Sequence, residues 1–301
     1  MLDALPGFVQ RLYLVGSAAL DDYREGASDI DFVAVLPAAP TADEVAALAA
    51  VHHALRKSRP LLDGVYLAAA DLAAPPSAAP PGPGVHAHRF SPATAVGRDP
   101  VTWHTLAHHG VAVRGPAASA LDIHTDGDGL RAWTRANIAS YWRPWLRRHG
   151  LALLSDWGVA WGVLGLARMH YTLSTGGIAS KSAAGGWALE AFPEHAPVLR
   201  EALRLRAGDG PPLRVRADGA TPLFQVRADG AAPPFQVRAD GAAPPFQVRA
   251  DGAAPPFQVR AGRAAPPFQV RAGRAAPLFR SRRARRTAAA AFMHTVIAGA
   301  A

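Results

Sequence analysis

The sequence predicts an α/β domain followed by an α-helical bundle, with a disordered repeat inserted into the bundle. Three observations carry this. Short apolar runs alternate with a helical segment over the first hundred residues, and from residue 100 the apolar spacing becomes helical. Between residues 208 and 280 phenylalanine returns every eleven positions. The expected division is 1–98 for the α/β unit, 99–207 for the helical domain, 208–280 for the repeats and 281–301 for the last helix of the bundle.

Residues 10–15, 30–36 and 62–68 read as short buried strands, being apolar runs too brief for helices. Residues 41–57 read as a helix that opens on Thr41 as N-cap, with Glu44 three residues on, the spacing of a capping box. Strands alternating with helices give the α/β pattern. Residues 73–84 form a Pro-rich break. Beyond residue 100, Trp103, Leu106 and Val111, then Leu130, Trp133, Ile138, Tyr141 and Trp145, then residues 159–171, follow helical spacing, as do residues 285–300.

The repeat is built on Phe224, Phe235, Phe246, Phe257, Phe268 and Phe279 in units such as ADGAAPPFQVR. Pro-Pro and Gly in each central unit forbid a continuous helix. One Phe and one Val per unit bury too little apolar surface to offset the entropy of ordering, so this segment is expected to be disordered. It also carries the charge. The chain has a formal net charge of +9, yet residues 213–286 hold fourteen Arg against four Asp, and the remainder is close to neutral. A basic balance confined to one segment is a weak reason to expect nucleic acid as a partner. Non-enzymatic RNA or DNA binding by this Arg-rich segment is one alternative to the enzymatic reading developed below, and the same chemistry on a different acceptor is the other.

Half of the residues are hydrophobic, enough for a core, and there is no cysteine. Disulfide scaffolds, thiolate metal sites and cysteine nucleophiles are thereby excluded. No apolar run approaches the ~20 residues that cross a bilayer. The opening stretch MLDALPGFVQRLYLVGS lacks a basic lead and a small-residue cleavage site, so a cytoplasmic monomer without membrane contact is expected.

The chemistry is concentrated in Gly16-Ser17 and, after a ten-residue gap, Ser28-Asp29-Ile30-Asp31. Asp29 and Asp31, two apart on a strand, point to the same face. Two like charges held together are costly unless a cation lies between them, and hard oxygen ligands suit Mg²⁺ carrying nucleotide phosphates. A glycine after a strand lets the backbone approach a phosphate, and a helix starting there would present free N–H groups. Asp63, entering the third strand, could join the first two carboxylates. The set fits metal-assisted nucleotidyl transfer, one carboxylate accepting the proton of the attacking hydroxyl.

At these residues the chain resembles the nucleotidyltransferase superfamily. Residues 168–189, RMHYTLSTGGIASKSAAGGWAL, resemble the C-terminal helical domain of the aminoglycoside (3'') adenylyltransferases, and Val111–Pro116 and the Phe292-Met293…Val296-Ile297 helix fit as well. The resemblance implies ATP-dependent transfer of AMP to a hydroxyl of an aminoglycoside-like acceptor bound between two domains. It implies Asp29 and Asp31 as Mg²⁺ ligands, Gly16, Ser17 and Ser28 around the nucleotide, and Lys181 on the triphosphate. Asp63 falls where the family places a glutamate base, one methylene shorter. The family's acceptor-binding Trp and acidic residues have a register-shifted counterpart in Asp156-Trp157.

Twelve histidines invite a metal reading, but His104 and His108 at i, i+4 come without a matching third ligand, and exposed or capping histidines are expected. Trp133, Trp142, Trp145, Trp157 and Trp161 are expected in the bundle core.

Overall fold

The computed structural model describes residues 7–208 and 279–300, together with the backbone of two short strands, Phe224–Val226 and Phe235–Val237, which pair antiparallel. The expected disorder of the repeats therefore lies almost wholly outside the described residues. The last repeat phenylalanine, Phe279, is described, and it packs against the bundle core.

In chain order the first unit comprises β1 (Arg11–Leu14), α1 (Gly16–Ala19), β2 (Ile30–Leu36), α2 (Ala42–Leu55), β3 (Leu62–Ala68), α3 (Ala69–Leu72), β4 (Gly82–His86), β5 (Arg89–Thr94), α4 (Pro100–His109) and β6 (Val111–Arg114). The strands form one six-stranded sheet in the order β5-β4-β3-β2-β1-β6, with β2 and β3 parallel and every other pair antiparallel. Apart from Asp31, β2 is apolar because both its faces are covered: Val33 and Val35 pack with Trp103 and Leu106 of α4, while Phe32, Ala34 and Leu36 pack with Leu48 of α2.

The capping box forms as its spacing predicts. The Glu44 N–H donates to Thr41 Oγ1 at 3.3 Å, and the Thr41 N–H donates to Glu44 Oε2 at 2.7 Å. The same helix corrects one expectation, because His52 is neither exposed nor a cap. It lies in the core with Nε2 2.8 Å from the Tyr66 hydroxyl, and burial pushes it down to about 4, so the ring is neutral.

Two segments differ from the sequence reading. The Pro-rich break ends in β4, whose Pro83 sits at a register shift in the β4–β5 pairing, where proline's missing N–H breaks no ladder bond. The α/β unit also does not stop at residue 98. α4 is helical as expected, but it buries Trp103 and Leu106 against the sheet, and β6 pairs with β1. A helical period identifies a helix, not the layer that receives its apolar face.

The bundle follows with α5 (Gly127–Asn137), which runs through a π-turn at Ile138–Trp142 into α6 (Arg143–His149), then α7 (Asp156–Thr175), α8 (Lys181–Ala191), α9 (Ala196–Ala207) and α10 (Arg282–Gly299). α7 is its axis, contributing Val159, Val163, Leu164 and Leu166 to a core completed by Leu199, Phe292 and Met293. Gly165 lies mid-helix because an added Cβ would collide with the Trp142 ring. Of the tryptophans, Trp142 is buried as expected, whereas Trp157 is 63% exposed. α10 is fixed by Arg285, which donates to the fully buried Glu201 at 3.3 Å and to the Leu154 carbonyl at 3.2 Å. Among the described residues no helix is long and apolar enough to cross a membrane.

Phe292 is fully buried at the centre of the α7–α9–α10 contact. Phe292→Ala should lower unfolding stability by about 3–5 kcal/mol, read as a fall in denaturant midpoint.

Candidate active site

The site begins where β1 ends. Gly16 turns the chain with φ +58°, a left-handed conformation that favours glycine, and a Cβ at this position would collide with the Asp31 carboxylate. The Val15 N–H donates to the Asp31 carbonyl at 3.0 Å, so the turn is pinned to β2. The helix expected after it, α1, is a single turn. The close approach of Gly16, rather than a helix dipole, is therefore what this element contributes. Ser28 closes the loop before β2, its Oγ accepting from the Arg24 N–H at 3.1 Å.

Parallel pairing of β2 and β3 sets Asp31 beside Asp63, and Asp29 stands one residue before β2. The repulsion expected among the three is present. Burial, with Asp63 and Asp29 adding like charge, pushes the Asp31 carboxyl up to about 7. Asp29 is also raised, by burial and Asp63, against the opposing influence of His88, Lys181 and Arg59. Asp63 itself is engaged by backbone: Oδ2 accepts from the Ala87 N–H at 3.1 Å and Oδ1 from the His88 N–H at 3.3 Å. Among the described residues no three His, Cys, Asp or Glu side chains converge closely enough to hold a metal ion by themselves. Two carboxylates suffice for Mg²⁺, which keeps waters and takes further oxygens from phosphates.

The bundle supplies the opposite charge. Gly16, Ser17, Ser28, Asp29 and Asp31 face Arg168, Ser180, Lys181 and Arg206 across a cavity of about 230 Å³. The sequence places Lys181 there by a chain of local bonds. α7 ends at Gly176 with φ +75°, Arg168 Nε donates to the Ala179 carbonyl at 3.0 Å, and Ser180 caps α8 by accepting from the Ala183 N–H at 3.1 Å. Lys181 is thus the first residue of α8, a poor place for a cation beside the positive end of a helix. Burial pushes its ammonium down to about 8, with Arg168 and Arg206 lowering it further and Asp31 and Asp22 opposing. Three cations gathered at a cavity in this way favour a polyanion.

Asp22 joins the two halves. It is buried, accepts from the Ser182 N–H at 3.1 Å and the Ser182 hydroxyl at 2.6 Å, and pairs with Arg206 at 2.8 Å. A further link runs from Arg24 NH1 to the Ala207 carbonyl at 3.0 Å. Sequence reasoning missed Asp22, Arg168 and Arg206. Arg168 opens the stretch singled out for its family resemblance, but nothing local distinguishes Asp22 from Asp21.

Asp156 and Trp157 are not brought to this cavity. They start α7, roughly 18 Å along the helix axis from Arg168 at ~1.5 Å per residue. Asp156 is paired with Arg285 at 2.7 Å, and the Trp157 ring stacks on Trp161 with centroids 5.3 Å apart.

Residues 2–61 match the family described as Nucleotidyltransferase domain, and residues 151–218 match the family described as Aminoglycoside adenylyltransferase, C-terminal domain. No curated protein is significantly similar in sequence. Among solved structures, the spectinomycin adenyltransferase AAD(9) from Enterococcus faecialis, determined with ATP and spectinomycin, has a similar fold. The TM-score is 0.51 at 14% identity, covering 69% of this chain and 86% of that one.

The Asp31 carboxyl binds more protons folded than unfolded between pH 3.8, its ordinary value, and about 7. Its contribution to stability is whole below pH 3.8 and is lost as pH rises through about 7. Asp31→Asn should therefore gain on the native protein as pH rises across that range, seen as a widening gap between their denaturant midpoints; a constant gap would contradict this. Asp22→Ala strips Arg206 and the α8 N-terminus of a buried partner. It should cost about 3–5 kcal/mol in the same measurement.

Proposed function

We propose that the chain is an aminoglycoside adenylyltransferase-like nucleotidyltransferase, as its two family matches and its fold favour, and that it transfers AMP from ATP to a hydroxyl of an aminoglycoside-like small molecule. The observation that carries this reading is the single cavity in which Asp29 and Asp31 on the sheet side face Arg168, Lys181 and Arg206 on the bundle side. Cations on one wall suit a triphosphate, and paired carboxylates on the other suit a divalent ion. The similar spectinomycin adenyltransferase was solved with ATP and spectinomycin, which favours ATP as donor and an aminoglycoside-like acceptor.

The donor set fits Mg²⁺: burial raises both carboxyls, with like charge added by Asp63 at Asp29 and by Asp63 and Asp29 at Asp31, and a bound cation would relieve that repulsion. Bound there, Mg²⁺ would offset triphosphate charge and orient the phosphates for in-line displacement. The chain's own residues perform the remaining tasks. Lys181, Arg168 and Arg206 hold the phosphates and the departing pyrophosphate, since fixed cations lower the barrier where negative charge develops. Gly16 lets the backbone come close, with Ser17 and Ser28 beside it. Asp63 stands on the flank of the carboxylate row away from Gly16, the side from which an acceptor hydroxyl would approach. Asp22 keeps the two walls in register.

Purified protein incubated with Mg-ATP and a panel including spectinomycin and streptomycin should release pyrophosphate and yield an acceptor heavier by one AMP. Lys181→Ala should raise the KM for ATP about tenfold, equivalent to ~1.4 kcal/mol of binding. A native protein that binds no nucleotide, with Asp29→Asn behaving identically, would refute the assignment.

A further inference from the structure

We propose that His86, rather than Asp63, accepts the proton of the attacking hydroxyl, with Asp63 as the carboxylate that orients its imidazole. This rests on the transfer reaction proposed above and names its base.

Sheet register brings the residues together. β2 and β3 place Asp31 beside Asp63, and the β3–β4 pairing of Gly64 with Val85 brings Asp63 opposite His86 one step further on. Residues directly opposite in neighbouring strands share a face. Asp31, Asp63 and His86 therefore form one row, running from the cavity that would hold the phosphates toward the open edge of the sheet. His86 Nδ1 lies 3.7 Å from Asp63 Oδ2, with the imidazole side chain 66% exposed and the carboxylate 17%. Arg89 of β5 faces His86 from the other side, and His88 lies on the same turn.

Asp63 is poorly suited to take the proton itself. Each of its oxygens already accepts a backbone N–H, from Ala87 and from His88, which commits the carboxylate to the turn. Those bonds have a definite purpose. Ala87 and His88 both have left-handed φ, +47° and +65°, in a two-residue hairpin turn that Asn-Gly would fill without strain. Asp63 ties down this turn, and the turn fixes where His86 leaves β4. The short aspartate side chain reaches the turn through these two bonds. A half-buried carboxylate behind an exposed imidazole is an arrangement that can orient an acid–base histidine. The 3.7 Å separation is longer than a hydrogen bond, and such contacts commonly tighten when substrate binds.

In the reaction the acceptor O–H bond breaks and its proton passes to His86 Nε2. The freed oxygen bonds to the α-phosphorus, and the bond to the bridging oxygen breaks with its electron pair leaving on pyrophosphate. Nδ1–H donates to Asp63 Oδ2, whose charge offsets the imidazolium, and the exposed ring returns the proton to water.

In the full-length chain with Mg-ATP and spectinomycin or streptomycin, His86→Ala should lower kcat about 100-fold. The KM for ATP should change by less than about twofold, because a proton acceptor contributes to the chemical step and not to donor binding. Added free imidazole should restore rate to His86→Ala and not to Lys181→Ala. A wild-type rate in His86→Ala, or a slow variant that imidazole does not rescue, overturns the inference while leaving the transfer reaction standing. A second measurement needs no acceptor: in ¹⁵N-histidine spectra, Asp63→Asn should shift the His86 Nδ1 resonance. An unmoved resonance overturns the pairing even if the native protein adenylylates none of these acceptors.

Discussion

The structure is organised around a repulsion. Three carboxylates at one end of adjacent strands stand a strand spacing or so apart. Burial first and like charge second hold the Asp31 carboxyl at about 7 and raise Asp29 as well, so the row resists full ionisation. The bundle holds the mirror problem, with Arg168, Lys181 and Arg206 crowded at a helix start. Neither half relieves its own repulsion, and each is relieved by facing the other. Asp22 is the point where the two meet, a carboxylate from the sheet domain buried among bundle cations. The cavity between them keeps its unpaired charges on opposite walls, where they can act on an ionic ligand.

What the sequence made legible was whatever local physics determines. Ile30–Leu36 and Leu62–Ala68 were readable to the residue because strands covered on both faces are apolar but for the carboxylate near each start, and Thr41 marked its helix because capping is settled within four residues. β4 and β5 were hidden by Pro83 and Pro92, since proline inside a strand is tolerated only at a register shift, as at Pro83, or on an edge strand, as at Pro92, and no local pattern announces either. α4 was recognised as a helix and assigned to the wrong layer, because Trp103 and Leu106 would suit either core.

The site divides along the same line. Gly16, Asp29, Asp31 and Lys181 lie in motifs whose spacing carries their meaning, and the structure gathers them at one cavity. Asp22 acquires its role from partners 160 and 184 residues away, which only the packed fold supplies. Asp156 was expected to bind the acceptor as a register-shifted counterpart of the family's acidic residues, whereas its carboxylate is paired with Arg285. Charge type and neighbourhood in sequence do not reveal which buried cation a carboxylate must satisfy.

The position of the repeat follows from the same accounting of partners. It separates α9 from α10, yet α10 cannot be dispensed with. Glu201 on α9 is fully buried, and Arg285 on α10 is one of the two arginines that satisfy it. α9 in turn carries Arg206 into the cavity and ends at Ala207, whose carbonyl accepts from Arg24 of the sheet domain. Any chain length between the two helices is compatible with the site provided α10 returns to its groove. Loop closure costs only about 0.6 kcal/mol more for each doubling of length. Burying Phe292, at roughly 1.5–3 kcal/mol for a large apolar side chain, offsets several such doublings. An expansion by whole eleven-residue units at this junction is therefore tolerated by the packing, whereas the same insertion between Arg168 and Lys181 would pull a phosphate-binding cation out of place.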